Sequence, residues 1–327
     1  MKKLAHVLAV AGLVLAAVLF ARENVSHIAA AVLRAAPGLL VASAFHLVPM
    51  MLNAIAWDYL FTAGRRPGIR SLTFAVWIRE SVNGVLPVAR IGGEVVAYRI
   101  LRRIAASRAE AAATLAADVA LSVVSQSVFA LLGIALLLAG RTTSAFMTEL
   151  IAATLVMLVL GGAFAYVQRA GALAALTRIA QRLFARPLRT AMSKSRRIDR
   201  TLREIYQRRV DVVACIAWQL AGWIAGAAEI WLALYFLGAP VRLLDALVIE
   251  ALIQAISSAA FVVPGALGVQ EAGFLVIGAA LGLDAPTSLA LAAARRLRDV
   301  VIFLPGLAAW QWFETRTPRI RPVRESA

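Results

Sequence analysis

Two carboxyl groups stand at matching places in an otherwise apolar chain. Glu94 closes Pro87–Glu94, PVARIGGE, and Glu271 closes Pro264–Glu271, PGALGVQE. Both octets fit Pro-x-Ala-x-x-x-x-Glu, and they lie 177 positions apart. Each proline lacks an amide donor, and its ring collides with the preceding turn, so a helix arriving there stops. Gly265 and Gly268 loosen the backbone beyond Pro264. A carboxylate just past such a break has two uses. It can line a polar cavity and hold a proton, a cation or a cationic headgroup. It can also sit in the first turn of the next half-helix and satisfy its exposed amides. The sequence leaves both open.

Other polar groups interrupt the apolar runs. A charge at the bilayer centre costs roughly 2.5–3.5 kcal/mol on insertion scales, so such groups face a cavity or each other. The candidate cavity set is Glu80, Asn83, Pro87, Arg90, Glu94, Asp118, Glu229, Glu250, Pro264, Gly268, Gln270, Glu271, Arg295, Arg298 and Asp299. Unused amides at a half-helix start, with an arginine nearby, suit a lipid phosphate, and Arg90, Arg295 and Arg298 are the phosphate candidates. Helical spacing puts Arg295, Arg298 and Asp299 on one face, where an ion-pair network that only joins helices competes with that role. His6, His27 and His46 show no metal-ligand spacing, and the single cysteine, Cys215, supports neither a disulfide framework nor a cysteine metal site. No P-loop, Gly-x-Ser-x-Gly elbow or His-Glu-x-x-His helix is present. The expectation is a protein that is not an enzyme and carries no cofactor or metal.

The elements that position these groups follow from composition. Of 327 residues 61% are hydrophobic, and they come in membrane-length blocks. The predicted fold is an all-α polytopic membrane protein with about six spanning helices and two re-entrant broken-helix hairpins. The spans are Leu4–Phe20, Leu39–Phe61, Leu115–Ala139, Phe146–Val167, Val212–Leu237 and Ser288–Phe313. The arms of Ser71–Leu101 and Leu243–Leu283 are too short or too polar for two ordinary crossings each. Residues 39–139, with hairpin 71–101, form a first repeat unit, and residues 211–313, with hairpin 243–283, a second. Between them, residues 168–209 carry 12 Lys or Arg against Asp199 and Glu204. Apolar residues recur there at helical spacing, which fits an amphipathic helix on an anionic phospholipid surface or a solvated linker. The net charge of +16 therefore points to topology and lipid headgroups, with no nucleic-acid partner.

With the N-terminus in the cytoplasm and both hairpins returning to the side they entered from, inside stretches hold 24 Lys or Arg and outside loops four. The positive-inside rule supports that orientation, with the C-terminus also cytoplasmic. The two units then have opposite topology, a recurring plan in transporters.

The broken segments resemble the lysylphosphatidylglycerol synthase/flippase transmembrane family. Asn83, Pro87, Gly93 and Glu94, followed by Arg99, Arg102 and Arg103, match its first half; Pro264, Gly265, Gly268 and Glu271 match its second. Ala266 and Gln270 stand where the family often has glycine and arginine. The resemblance runs roughly from Leu4 to Phe313 and implies the flippase-like part without an aminoacyltransferase domain. Stand-alone members include a group associated with hopanoid biosynthesis, and the Ala- and Arg-rich composition fits a GC-rich bacterium. The expected function is a lipid transporter or flippase of the bacterial inner membrane, handling a phospholipid, polyprenyl or hopanoid lipid. The alternatives are an accessory membrane protein for lipid biosynthesis and an intramembrane lipid-modifying enzyme. Membrane lipids are the expected partners. Candidate protein partners are a second copy of the chain or lipid-biosynthesis enzymes.

Overall fold

The computed structural model describes residues 2–23, 25–62, 66–86, 92–105, 107–140, 189–260 and 263–316. Regular structure among them is helical throughout, without strands. In chain order the described helices are α1 (Lys2–Arg22), α2 (Val25–Phe45), α3 (Leu47–Asp58), α4 (Ile69–Val85), α5 (Gly92–Ile104), α6 (Arg108–Gly140), α7 (Arg189–Gln207), α8 (Arg209–Phe236), α9 (Leu243–Ala259), α10 (Val269–Ala280), α11 (Ala285–Arg298) and α12 (Leu304–Arg316). A 3-10 turn, Pro264–Ala266, joins α9 to α10, and a π turn, Asp299–Phe303, joins α11 to α12.

Among the described residues three stretches are long and apolar enough to cross a membrane: Val25–Asp58, Arg108–Ala139 and Arg209–Phe236. The first corrects the expected span at Leu39–Phe61. Its helix begins at Val25 and continues through Pro37, because the alanine-rich run before the proline has high helix propensity. Leu4–Phe20 lies within α1, and Ser288–Phe313 falls within the continuous α11–π–α12 unit. Phe146–Val167, most of 168–209 and the chain after Arg316 lie outside the described residues.

Helix α9 ends at Ala259 and a 3-10 turn follows at Pro264, where the second break was expected. Arms α4 and α5 pack on each other, as do α9 and α10. Residues 87–91, with Pro87 and Arg90, lie outside the described residues. In the second break, Gly265, Ala266 and Gly268 have φ of 59°, 48° and 76°. Such left-handed backbone suits glycine and costs an L-residue such as Ala266 about 1–2 kcal/mol. A Cβ on Gly268 would also strike the Gly12 carbonyl, so α1 lies directly against this elbow.

Each hairpin anchors a separate apolar core. Ala75, Val76 and Ile78 of α4 and Ala97 and Leu101 of α5 pack with Ala113 and Ala117 of α6 and with Cys215 of α8. Val248, Ile249 and Leu252 of α9 and Phe274 of α10 pack with Ile134 of α6 and Leu234 of α8. The two cores thus occupy opposite ends of α6 and α8. Within lipid, helices gain little from apolar burial alone and associate through close packing of small residues. The chain supplies them: Ala54, Ala75, Ala97, Ala117 and Ala251 are fully buried, and Gly133 of α6 sits against Ala251 of α9. The halves also exchange contacts. The helix after the first hairpin, α6, packs on α9, and the helix after the second packs on α4 through the π turn and α12.

Candidate functional site

Between the two cores lies a cavity of about 320 Å³, lined midway along α6 by Ser122 and Gln126 and along α8 by Gln219, Gly222 and Gly226. Both hairpins reach it. The first contributes Arg79, Glu80, Asn83 and Glu94, and the second contributes Glu250, Gln254, Gly265 and Gln270. Arg295, Arg296 and Arg298 of α11 and Asp299 and Phe303 of the π turn close one wall, and His46, Pro49 and Asn53 another.

The charges are paired in two groups. On the first-hairpin side, Arg79 donates to Asp118 at 2.5 Å and to Asn53 at 3.1 Å, and lies 4.9 Å from the Trp57 ring. Asp118 is fully buried and also accepts from Gln219 Nε2 at 3.1 Å. Glu94 is held more loosely, 4.0 Å from Arg79 and 3.4 Å from Asn83 Nδ2. Asn83 Oδ1 accepts from the Gly93 amide at 2.8 Å, and a Cβ at Gly93 would strike Asn83 and the Arg79 carbonyl. The Gly-Glu of the motif is thereby explained: glycine lets the start of α5 meet α4, and the glutamate follows on the cavity.

On the second-hairpin side the pairs form one chain. Arg295 binds Glu250 and lies 3.8 Å from Glu229; Arg298 lies 3.4 Å from Glu229 and binds Asp299. Arg296 reaches Asp299 at 3.4 Å and Glu271 at 2.8 Å, and its Nη1 donates to the Gly265 carbonyl at 3.0 Å. His46 joins Glu229, at 2.7 Å, to Glu80, at 3.4 Å. Asp118 and Arg295 are as far apart in sequence as Glu94 and Glu271, and each pairs with the first arm of its own hairpin, with the charges reversed.

Of the expected residues, Glu80, Asn83, Glu94, Asp118, Glu250, Gln270, Arg295, Arg298 and Asp299 line the cavity. Glu229 and Glu271 lie behind the wall, and Gly268 faces α1. Pro87 and Arg90 lie outside the described residues, as does the Pro264 side chain. Among the described residues neither Glu94 nor Glu271 bonds the amides of its own helix: Asn83 and Arg296 take the two carboxylates instead. Arg295 pairs with Glu250, and Asp299 meets Arg296 and Arg298. Sequence reasoning passed over Arg79, Arg296, His46, Asn53, Gln126 and Gln219. Arg79 had a signal, being the nearest cation before Asn83 in an apolar arm. The amides on long spans had none.

A helical bundle with an ion-paired cavity between membrane-length helices defines a polytopic membrane protein. A model described as lysylphosphatidylglycerol synthase TM region matches residues 4–306, and the chain belongs to that family. It is thus a membrane protein of lipid metabolism or transport. Comparison with curated proteins and with solved structures gave no significant match.

Proposed function

We propose that the protein is a lipid transporter or flippase of the bacterial inner membrane, moving or presenting a polar-headgroup lipid through the cavity between its hairpins. The observation that carries this reading is the cavity's place midway along α6 and α8, between cores at their opposite ends. The hairpins act as two re-entrant halves of an inverted repeat, each admitting the headgroup from one side while the lipid chains stay in the bilayer. Every cavity arginine among the described residues already has a carboxylate partner, so a headgroup enters by exchanging partners. Glu94 is the one to yield, since Arg79 holds it at 4.0 Å but Asp118 at 2.5 Å. A headgroup phosphate beside Arg79 would take the place Glu94 leaves.

The same reading sets both termini in the cytoplasm and α7 on the anionic inner leaflet. Leu202 and Ile205 of α7 are buried while Arg196, Arg197, Arg200 and Arg203 are exposed, an amphipathic basic surface suited to anionic lipid. The test is leaflet exchange of labelled phosphatidylglycerol in reconstituted vesicles. Wild type should exchange lipid and Glu94→Gln should be slowed at least about tenfold, a barrier change near 1.4 kcal/mol. Equal exchange in wild type, Glu94→Gln and protein-free vesicles, across several lipid classes, would sink the reading.

A further inference from the structure

His46 occupies the turn between α2 and α3, and its side chain, 14% exposed, meets four other elements. Nδ1 lies 2.7 Å from Glu229 Oε2 on α8 and 3.4 Å from Arg298 Nη1 on α11. Nε2 lies 3.4 Å from Glu80 Oε2 on α4. Phe303 of the π turn stands edge-on, 5.8 Å between centroids, and Asp299 lies beyond Arg298. On α2 the nearby polar group is Ser43, already bonded to the Leu39 carbonyl.

The partners fix the ring's hydrogen. A neutral imidazole has one donor nitrogen, a carboxylate only accepts and a guanidinium only donates. The 2.7 Å contact therefore has Nδ1–H donating to Glu229. Nε2 is left with its lone pair, buried and without a hydrogen-bond partner, facing a carboxylate oxygen. One added proton turns two opposed acceptors into a charge-assisted N–H···O bond. Glu80 is 30% exposed and lines the cavity, so a proton has a wet approach.

We propose that the His46–Glu80 pair is a proton-binding site, and that the proton bound there is the coupling ion for lipid movement. The second clause rests on the transport reading above. The proton comes from water on one side, binds Nε2 and is donated to Glu80; it leaves to water when the cavity opens to the other side. His46 and Glu80 both lie in the first unit, and it is through the ring's bond to Glu229 that the pair reaches α8 and, beside it, Arg298 of α11 in the other half. The protonated pair draws the hairpin onto that half, and the empty pair releases it, so occupancy biases a two-state element.

Two measurements on the full-length protein test this. The first is ring NMR of histidine-labelled protein, with His6→Gln and His27→Gln for assignment. The His46 ring signals should report a proton arriving on Nε2 as the pH falls, and that response should change in Glu80→Gln. A ring that stays neutral throughout, or an unchanged response in Glu80→Gln, overturns the site. The second uses phosphatidylethanolamine/phosphatidylglycerol vesicles with labelled phosphatidylglycerol and a gradient of one pH unit. The steady-state leaflet ratio should shift by up to about tenfold per proton coupled, and the shift should vanish in His46→Gln. A ratio indifferent to the gradient in wild type overturns the coupling. No lipid exchange at all, with the Glu80-dependent titration intact, overturns the transport reading while supporting the proton site.

Discussion

Glu94 and Glu271 occupy the same place in two copies of one pattern, yet the fold treats them differently. The Glu94 side chain is 27% exposed, lines the cavity and is held at 4.0 Å by an arginine already committed to Asp118. Glu271 is 3% exposed, lies behind the wall and is gripped at 2.8 Å by Arg296, which also holds the Gly265 carbonyl. The first acid is placed to exchange partners. The second ties α11 to an elbow of strained backbone. Two matching octets thus place their carboxylates in different surroundings.

Stability measurements in detergent, ranked by size of effect, can break or sharpen this contrast. Glu271→Ala should cost most, about 2–3 kcal/mol, below the full penalty for splitting a buried pair because Arg296 is 27% exposed and keeps Asp299. A loss under 1 kcal/mol would remove the latch. Gly268→Ala should follow at about 1–3 kcal/mol, since its φ is 76° and its Cβ would press on α1. Asp284→Ala should cost about 1 kcal/mol, because Asp284 caps α11 by accepting from the Thr287 amide. Hydrogen bonds from Thr287 hold the Asp284 carboxyl below its ordinary 3.8. Its contribution is therefore present above that value and fades as pH falls through the lowered one, so wild type and Asp284→Ala should converge in strong acid. Ala266→Gly should stabilise, by about 0.5–1 kcal/mol, as relief of the left-handed alanine outweighs added chain entropy. Glu94→Ala should change stability least, by less than about 1 kcal/mol, while reducing lipid exchange most. Equal destabilisation by Glu94→Ala and Glu271→Ala would erase the distinction.

Much of the fold was legible because prolines, glycines and charges stand out against an apolar background. Pro264, Gly268 and Glu271 announced the second break. Ala266 has a left-handed φ of 48°, a backbone demand that side-chain chemistry does not display. The site was legible in part. Its acids could be picked out singly, since each is costly in lipid. Their partners depend on which helix faces which, and no local spacing encodes that Arg295 meets Glu250 or that Arg79 meets Asp118. The Asp299 carboxylate meets Arg296 and Arg298. The amides Gln126 and Gln219 escaped notice because a lone amide on a long helix resembles ordinary helix–helix glue.

The π turn also offers an optical handle. The indole of Trp77, on the first arm of the first hairpin, donates at 2.8 Å to the Ile302 carbonyl inside that turn. That bond spans the seam between the first hairpin and the last helices of the chain. In a variant whose other six tryptophans are replaced by phenylalanine, the colour of its emission would report, in real time, whether the seam is closed.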